Sequence, residues 1–188
     1  MNKPNTFIIG ASKCGTTALH EYFMHHPEIY TTLTKELHYH SFQELTKTMG
    51  GPGDKSLISY ITNKSLVDYE RNYIKVKGEK CISDISPSYL YYPKKTCESI
   101  IKNYGNQVKI IILVRNPVDK IISQYNHLYS AGRETLSFEE ALLQEASRKK
   151  ADYSDMWLYR ESGFMAKKIR FFKTQFKNLI VINNSDLH

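Results

Sequence analysis

The 188 residues carry 41% hydrophobic and 24% charged side chains, the proportions of one ordinary globular domain, and this excludes disorder as the overall state. No stretch approaches the roughly 18–20 uninterrupted apolar residues of a membrane span. Met1-Asn2-Lys3-Pro4-Asn5 runs straight into an apolar segment, which leaves no room for a signal peptide and makes the cytoplasm the expected location.

Twenty-six basic against 19 acidic residues give a net charge of +7, which suits a polyanionic ligand. The lysines are scattered and not blocked together, which argues against a nucleic-acid footprint. Cys14, Cys81 and Cys97 are odd in number and widely spaced, so neither a disulfide framework nor a structural zinc site is expected. His25-His26 and His38/His40 lack carboxylates or cysteines at ligand spacing, so no metal site is expected either.

In chain order, Thr6–Ile9 reads as a short strand ending at Gly10. Ala18, Leu19, Tyr22 and Phe23 recur at helical spacing over 16–26, and Pro27 closes that helix. Residues 42–54 end in Met49-Gly50-Gly51-Pro52-Gly53-Asp54, expected as a turn-rich surface loop. Helical pieces are expected at 55–63 and 66–72, a strand at 80–85, and a helix over 93–104 ended near Gly105. Lys109–Val114 holds five apolar residues after its lysine, as a strand buried on both faces of a parallel sheet requires. Asn116 then serves as an N-cap with Pro117 at the first helical position. Ser137-Phe138-Glu139-Glu140 is a capping-box signature for a helix to about 150. A helix over 161–176 and a strand over 178–183 complete the chain. This alternation predicts an α/β fold of three layers, P-loop-like, with a central and mostly parallel sheet flanked by helices.

Two segments carry chemistry. Residues 7–17, Phe-Ile-Ile-Gly-Ala-Ser-Lys-Cys-Gly-Thr-Thr, form a strand, a small-residue loop and a helix start, which together make an anion cradle. The glycine spacing approaches a Walker A loop, but Thr16 stands where the nucleotide-triphosphatase lysine belongs, and the lysine lies inside the loop at position 13. There it points at the bridging region of a bound phosphate group, while Thr16 and Thr17 offer hydroxyls. The second segment is Arg115-Asn116-Pro117 with Ser123. Arg115 leaves the carboxyl end of a strand, where open α/β sheets bind ligands. Ser123 lies seven residues past the cap, within about 20° of two full helical turns, so both can reach one phosphate.

Together these segments resemble the sulfotransferases that use 3'-phosphoadenosine 5'-phosphosulfate (PAPS). The family's 5'-phosphosulfate loop is matched by Ser12-Lys13-Cys14-Gly15-Thr16-Thr17, and its 3'-phosphate motif by Arg115-Asn116-Pro117 with Ser123. Lys35-Glu36-Leu37-His38-Tyr39-His40 and Asp84-Ile85-Ser86-Pro87-Ser88-Tyr89 are similar to segments of the heparan-sulfate and other carbohydrate sulfotransferases. Ile85 replaces the usual lysine, and Ser41 stands where those enzymes often carry Asp. The resemblance spans Thr6 to about Leu187. Family members continue past the last strand with a basic, glycine-containing lid, so 188 residues are expected to form a single sulfotransferase domain lacking that segment.

The resemblance implies sulfuryl transfer from PAPS, with release of 3',5'-bisphosphate (PAP), to a hydroxyl or amine of a carbohydrate acceptor, with no metal. Lys13 would stabilise the departing phosphate oxygen; Ser12, Cys14, Gly15, Thr16 and Thr17 would hold the 5'-phosphate; Arg115 and Ser123 would hold the 3'-phosphate. Glu36 is the implied general base, with His38 orienting the acceptor or serving as the base instead. Tyr89, Tyr91 and Tyr92 are read either as acceptor-cleft rings or as half-buried core. Two other classes fit the phosphate loop: a P-loop kinase, and a non-catalytic nucleotide- or carbohydrate-binding module.

Overall fold

A computed structural model describes residues 2–56, 61 and 65–187. Five strands form the sheet: β1 (Thr6–Ile8), β2 (Ile29–Thr31), β3 (Cys81–Ile85), β4 (Lys109–Val114) and β5 (Asn178–Asn183). Their order is β2-β3-β1-β4-β5 and every pairing is parallel. The sheet is therefore fully parallel, a stricter form of the expected one. Parallel neighbours need crossovers, and helices supply them. These include α1 (Thr16–Met24) between β1 and β2, and α2 (Phe42–Leu45) and α3 (Leu66–Glu70) between β2 and β3. α4 (Ser88–Tyr91) and α5 (Pro93–Tyr104) then lead to β4. Between β4 and β5 lie α6 (Pro117–Ser130), α7 (Phe138–Leu143), α8 (Glu145–Lys150), α9 (Tyr159–Gly163) and α10 (Ala166–Gln175).

Burial follows from this covering. Phe7 and Ile8 of β1 and Ile112 and Leu113 of β4 are wholly inaccessible, and they pack with Leu90, Ile100 and Phe172 from α4, α5 and α10. Strong local signals set the helix starts. The Asn116 side chain accepts from Val118 N at 2.9 Å with Pro117 in the first turn, and Ser137 and Glu140 close the capping box in both directions.

The structure adds to these expectations and changes some of them. β2 has no counterpart in the sequence reading. The helix from Ser137 breaks at Gln144 into α7 and α8, and the helix expected at 161–176 starts at Tyr159 and breaks at Phe164 and Met165. β5 is apolar but lies at the sheet edge, with Ile180 and Val181 exposed. The loop 42–54 is not a free surface loop, because α2 occupies its start and Met49, Gly51 and Asp54 are buried. The helical piece expected at 55–63 falls mostly outside the described residues.

The cause of the buried loop is Asp54. Its carboxylate accepts from Gly51 N, Ser154 N, Ser154 Oγ and Trp157 Nε1, each at 3.0 Å, and from Arg133 at 2.5 Å. A buried charge is tolerated only when its lone pairs are filled in this way. Among the described residues, no helix is long and apolar enough to cross a membrane.

Candidate active site

The strand order reverses direction at β1, between β3 and β4, and such a switch point opens a crevice beyond the carboxyl ends of the strands. Gly10 follows β1, Ser86 and Pro87 follow β3, Arg115 follows β4 and Asn184 follows β5. All five stand at this edge.

The loop after β1 is held at both ends. Ala11 N donates to Leu113 O at 2.7 Å, Leu113 N to Gly10 O at 2.8 Å and Leu90 N to Ile9 O at 2.6 Å. A side chain at Gly10 would sit 2.6 Å from Leu90 Cβ, so glycine is required there. Gly15, at φ 96°, is pressed by the Asn184 side chain, whose Nδ2 donates to Cys14 O at 3.3 Å. Gly15 is also the cap residue of α1: it has no capping side chain, and the first turn carries no acid. The first-turn N–H groups of α1 therefore lack helical acceptors, the arrangement that suits a helix N-terminus to an anion.

A cleft of about 650 Å³ lies over this loop. Ser12, Lys13, Gly15, Thr16 and Thr17 line it together with Arg115, Ser123 and Glu36. Eight of the ten residues named from the sequence thus share one cavity. Cys14 and His38 do not line it. The Cys14 side chain is buried in the core, where burial raises its thiol pKa, so only its backbone serves the loop. His38 is buried behind Glu36, with Nε2 3.6 Å from Glu36 Oε2 and Nδ1 2.7 Å from Ser88 Oγ. None of the three tyrosines lines the cleft. Tyr89 is fully buried on Asp84, Tyr91 donates to Glu161, and Tyr92 pairs with Thr48, which is the core reading.

The charges in the cleft shape one another. Burial lowers the Lys13 pKa, Lys35 and Arg115 push the same way, and Glu36 opposes them. Burial alone would raise Glu36, yet the net direction is down, because His38 and Lys35 stabilise its charged form. Lys35 Nζ lies 3.7 Å from Glu36 Oε1 and donates to Thr17 Oγ1 at 2.6 Å. It is more than an exposed neighbour of Glu36, since it ties the carboxylate to the phosphate loop.

Asp54, His127, Arg133 and Asn184 also line the cleft, and no motif in the sequence marks them. His127 follows Ser123 by one helical turn on α6. Its pKa is lowered by burial, then by Lys13 and Arg133, with Glu36 opposing. Among the described residues, no group of three or more His, Cys, Asp or Glu side chains is placed to hold a metal ion.

A parallel α/β sheet with a lysine-bearing loop at a helix N-terminus and a carboxylate lining the same switch-point cleft is suited to an anionic ligand. The sequence profile of the Sulfotransferase family matches residues 4–180, and the chain belongs to that family. A crystal structure of a sulfotransferase from Alicyclobacillus acidocaldarius superposes with a TM-score of 0.92 at 36% identity, over 99% of this chain and 75% of that one. The membrane-associated sulfotransferase kil1 of Dictyostelium discoideum is 29% identical over 125 residues, 65% of this chain and 22% of that protein. Heparan sulfate glucosamine 3-O-sulfotransferase 3B1 of Mus musculus is 26% identical over 166 residues, 88% of this chain and 37% of that protein. The chain thus spans between about a fifth and two fifths of the length of these curated relatives.

Proposed function

We propose that this chain transfers a sulfuryl group from PAPS to a carbohydrate hydroxyl or amine. The observation that carries the reading is that Lys13 and the Arg115–Ser123 pair, about a hundred residues apart in sequence, line one cleft with Glu36. The N-terminus of α1 with Thr16 and Thr17 suits the 5'-phosphate, and Arg115 with Ser123 suits the 3'-phosphate. Relatives named for heparan sulfate and carbohydrate sulfation favour a sugar acceptor.

In the proposed reaction the acceptor oxygen or nitrogen forms a bond to sulfur as the bond from sulfur to the bridging oxygen breaks. The electron pair leaves on the 5'-phosphate of PAP, where Lys13 meets the growing charge. The acceptor proton passes to Glu36. Lys35 and His38 keep that carboxylate ionised, and Lys35 links it to the loop that holds the donor.

Donor class is tested by melting temperature. PAP at 100 times its dissociation constant adds about 2.7 kcal/mol of stability and raises the melting temperature without magnesium. ATP with magnesium leaves it unchanged; the reverse pattern rules out the PAPS reading in favour of a kinase. PAP binding with no labelled sulfate passed to any glycan acceptor supports a binding module instead.

The base assignment predicts a pH profile. Glu36 titrates below the ordinary carboxylate value, so activity on the acid side is lost only as pH falls through that lowered value. Lys13 is lowered too, so the alkaline limb begins below the ordinary lysine range. Glu36→Gln is expected to cut turnover by about 10²–10⁴-fold and abolish the acid limb. Full turnover in that variant would falsify the assignment.

A further inference from the structure

We infer that Asp84 and Ser86 are positioning residues that hold the Glu36–His38 turn in the conformation that aims Glu36 into the cleft. The inference rests on the reading of Glu36 as the acceptor's base for its functional consequence, and on geometry for everything else.

The turn adopts an uncommon backbone. Glu36 has φ 60° and His38 φ 54°, a left-handed region that residues with a Cβ seldom enter unless neighbours fix them there. Two hydrogen bonds do so. Glu36 N donates to Ile85 O at 3.1 Å, and His38 N donates to Ser86 Oγ at 3.1 Å. Both acceptors belong to the end of β3 or the residue just after it. Ile85 pairs with Ile8 of β1, two residues before Gly10, so the turn and the phosphate loop hang from adjacent strands of one rigid sheet.

The Ser86 hydroxyl accepts from His38 because Asp84 takes its proton. Ser86 Oγ donates to Asp84 Oδ1 at 2.7 Å, which leaves its lone pairs facing the His38 amide. Asp84 is itself fixed from the other side. Tyr69 and Tyr89 donate to Oδ2 at 2.6 and 2.7 Å, and Tyr73 donates to the Tyr69 hydroxyl at 3.2 Å. Asp84, Ser86 and the three tyrosines are all inaccessible to solvent. Three donors converge on one carboxylate, so the Ser86 proton is committed to Asp84 and its oxygen is left to accept from the His38 amide. Burial raises the Asp84 pKa, opposed by the hydrogen bonds from Tyr69, Tyr89 and Ser86.

The imidazole is held separately. His38 Nδ1 meets Ser88 Oγ at 2.7 Å, and Ser88 Oγ meets Ser41 Oγ at 2.7 Å. His38 Nε2 is buried, has no hydrogen-bond partner among the described residues, and lies 3.6 Å from Glu36 Oε2. Removing the Ser86 acceptor frees the His38 amide, and with it the spacing between imidazole and carboxylate.

The test is an NMR titration of the Glu36 carboxyl in uniformly ¹³C-labelled protein, its signal assigned by its loss in Glu36→Gln. This needs no donor or acceptor. In Ser86→Ala the Glu36 midpoint is expected to rise by about one pH unit toward or past the ordinary carboxylate value. Ser86→Thr, which keeps the hydroxyl, restores the wild-type midpoint. If Ser86→Ala does not fold, Ser86→Cys, whose thiol accepts only weakly, is read in the same way. An unmoved midpoint overturns the inference. A Glu36→Gln variant with full transfer removes the base reading but leaves a shifted midpoint standing; an inactive Glu36→Gln with unmoved midpoints removes the positioning role alone.

Discussion

Lys13→Ala lowers single-turnover sulfate transfer from labelled PAPS by about 10²–10³-fold, while the affinity for PAP, measured by calorimetry, changes only a few-fold. The magnitude is that of losing one donor aimed at developing charge. The split between rate and affinity follows from where the lysine sits. It lies inside the loop with φ 65°, half-buried, and the N-terminus of α1, Thr16 and Thr17 remain to bind a phosphate without it. Burial disfavours its charge most, Glu36 favours it, and Lys35 and Arg115 disfavour it. A positive group held mainly against the cost of burial gains most when negative charge appears on the leaving oxygen, so its contribution is concentrated in the transition state. Equal losses of rate and PAP affinity would instead identify Lys13 as a ground-state anchor.

Arg115→Ala weakens PAP binding by about 10–100-fold, the value of a hydrogen bond to a charged group, roughly 1.5–3 kcal/mol. Adenosine 5'-phosphate, which lacks the 3'-phosphate, binds as well as it does to the wild type. Arg115→Lys recovers only part of the loss, because an ammonium lacks the forked donors that match phosphate oxygens. Arg115 is half-buried at the end of β4, and Ser123 lies on the α6 face that lines the same cleft. If both nucleotides weaken equally, Arg115 serves the 5' end and the assignment of the two phosphates is exchanged.

The parts of the fold legible in the sequence were those with dense local signals. Lys109–Val114, the Asn116–Pro117 start and the Ser137 capping box each combine several independent cues, and each forms as expected. β2 was not legible because three residues, Ile29–Thr31, are too few to show a period. The break at Gln144 carries no glycine or proline, and the one at Phe164 is marked only by Gly163, an isolated glycine of the kind a helix tolerates; the short α9 that ends there packs on α6. At the site, the motif residues were visible because phosphate chemistry restricts the residue types around a glycine loop. Asp54, Arg133 and Asn184 were not, since each enters the cleft through contacts made across about 80–170 residues of chain. Nothing in their local sequence distinguishes them from other polar loop residues.

The bracing of the phosphate loop by Asn184 also orders events in time. The side chain that presses on Gly15 and bonds the Cys14 carbonyl is synthesised 170 positions after the loop it braces. At 5–20 residues per second, roughly 9–34 s separate the two. Through that interval the nascent chain holds every residue of the loop over 10–17 and lacks the wall that shapes it. The loop therefore gains its wall only in molecules whose β5 has already reached the sheet beside β4.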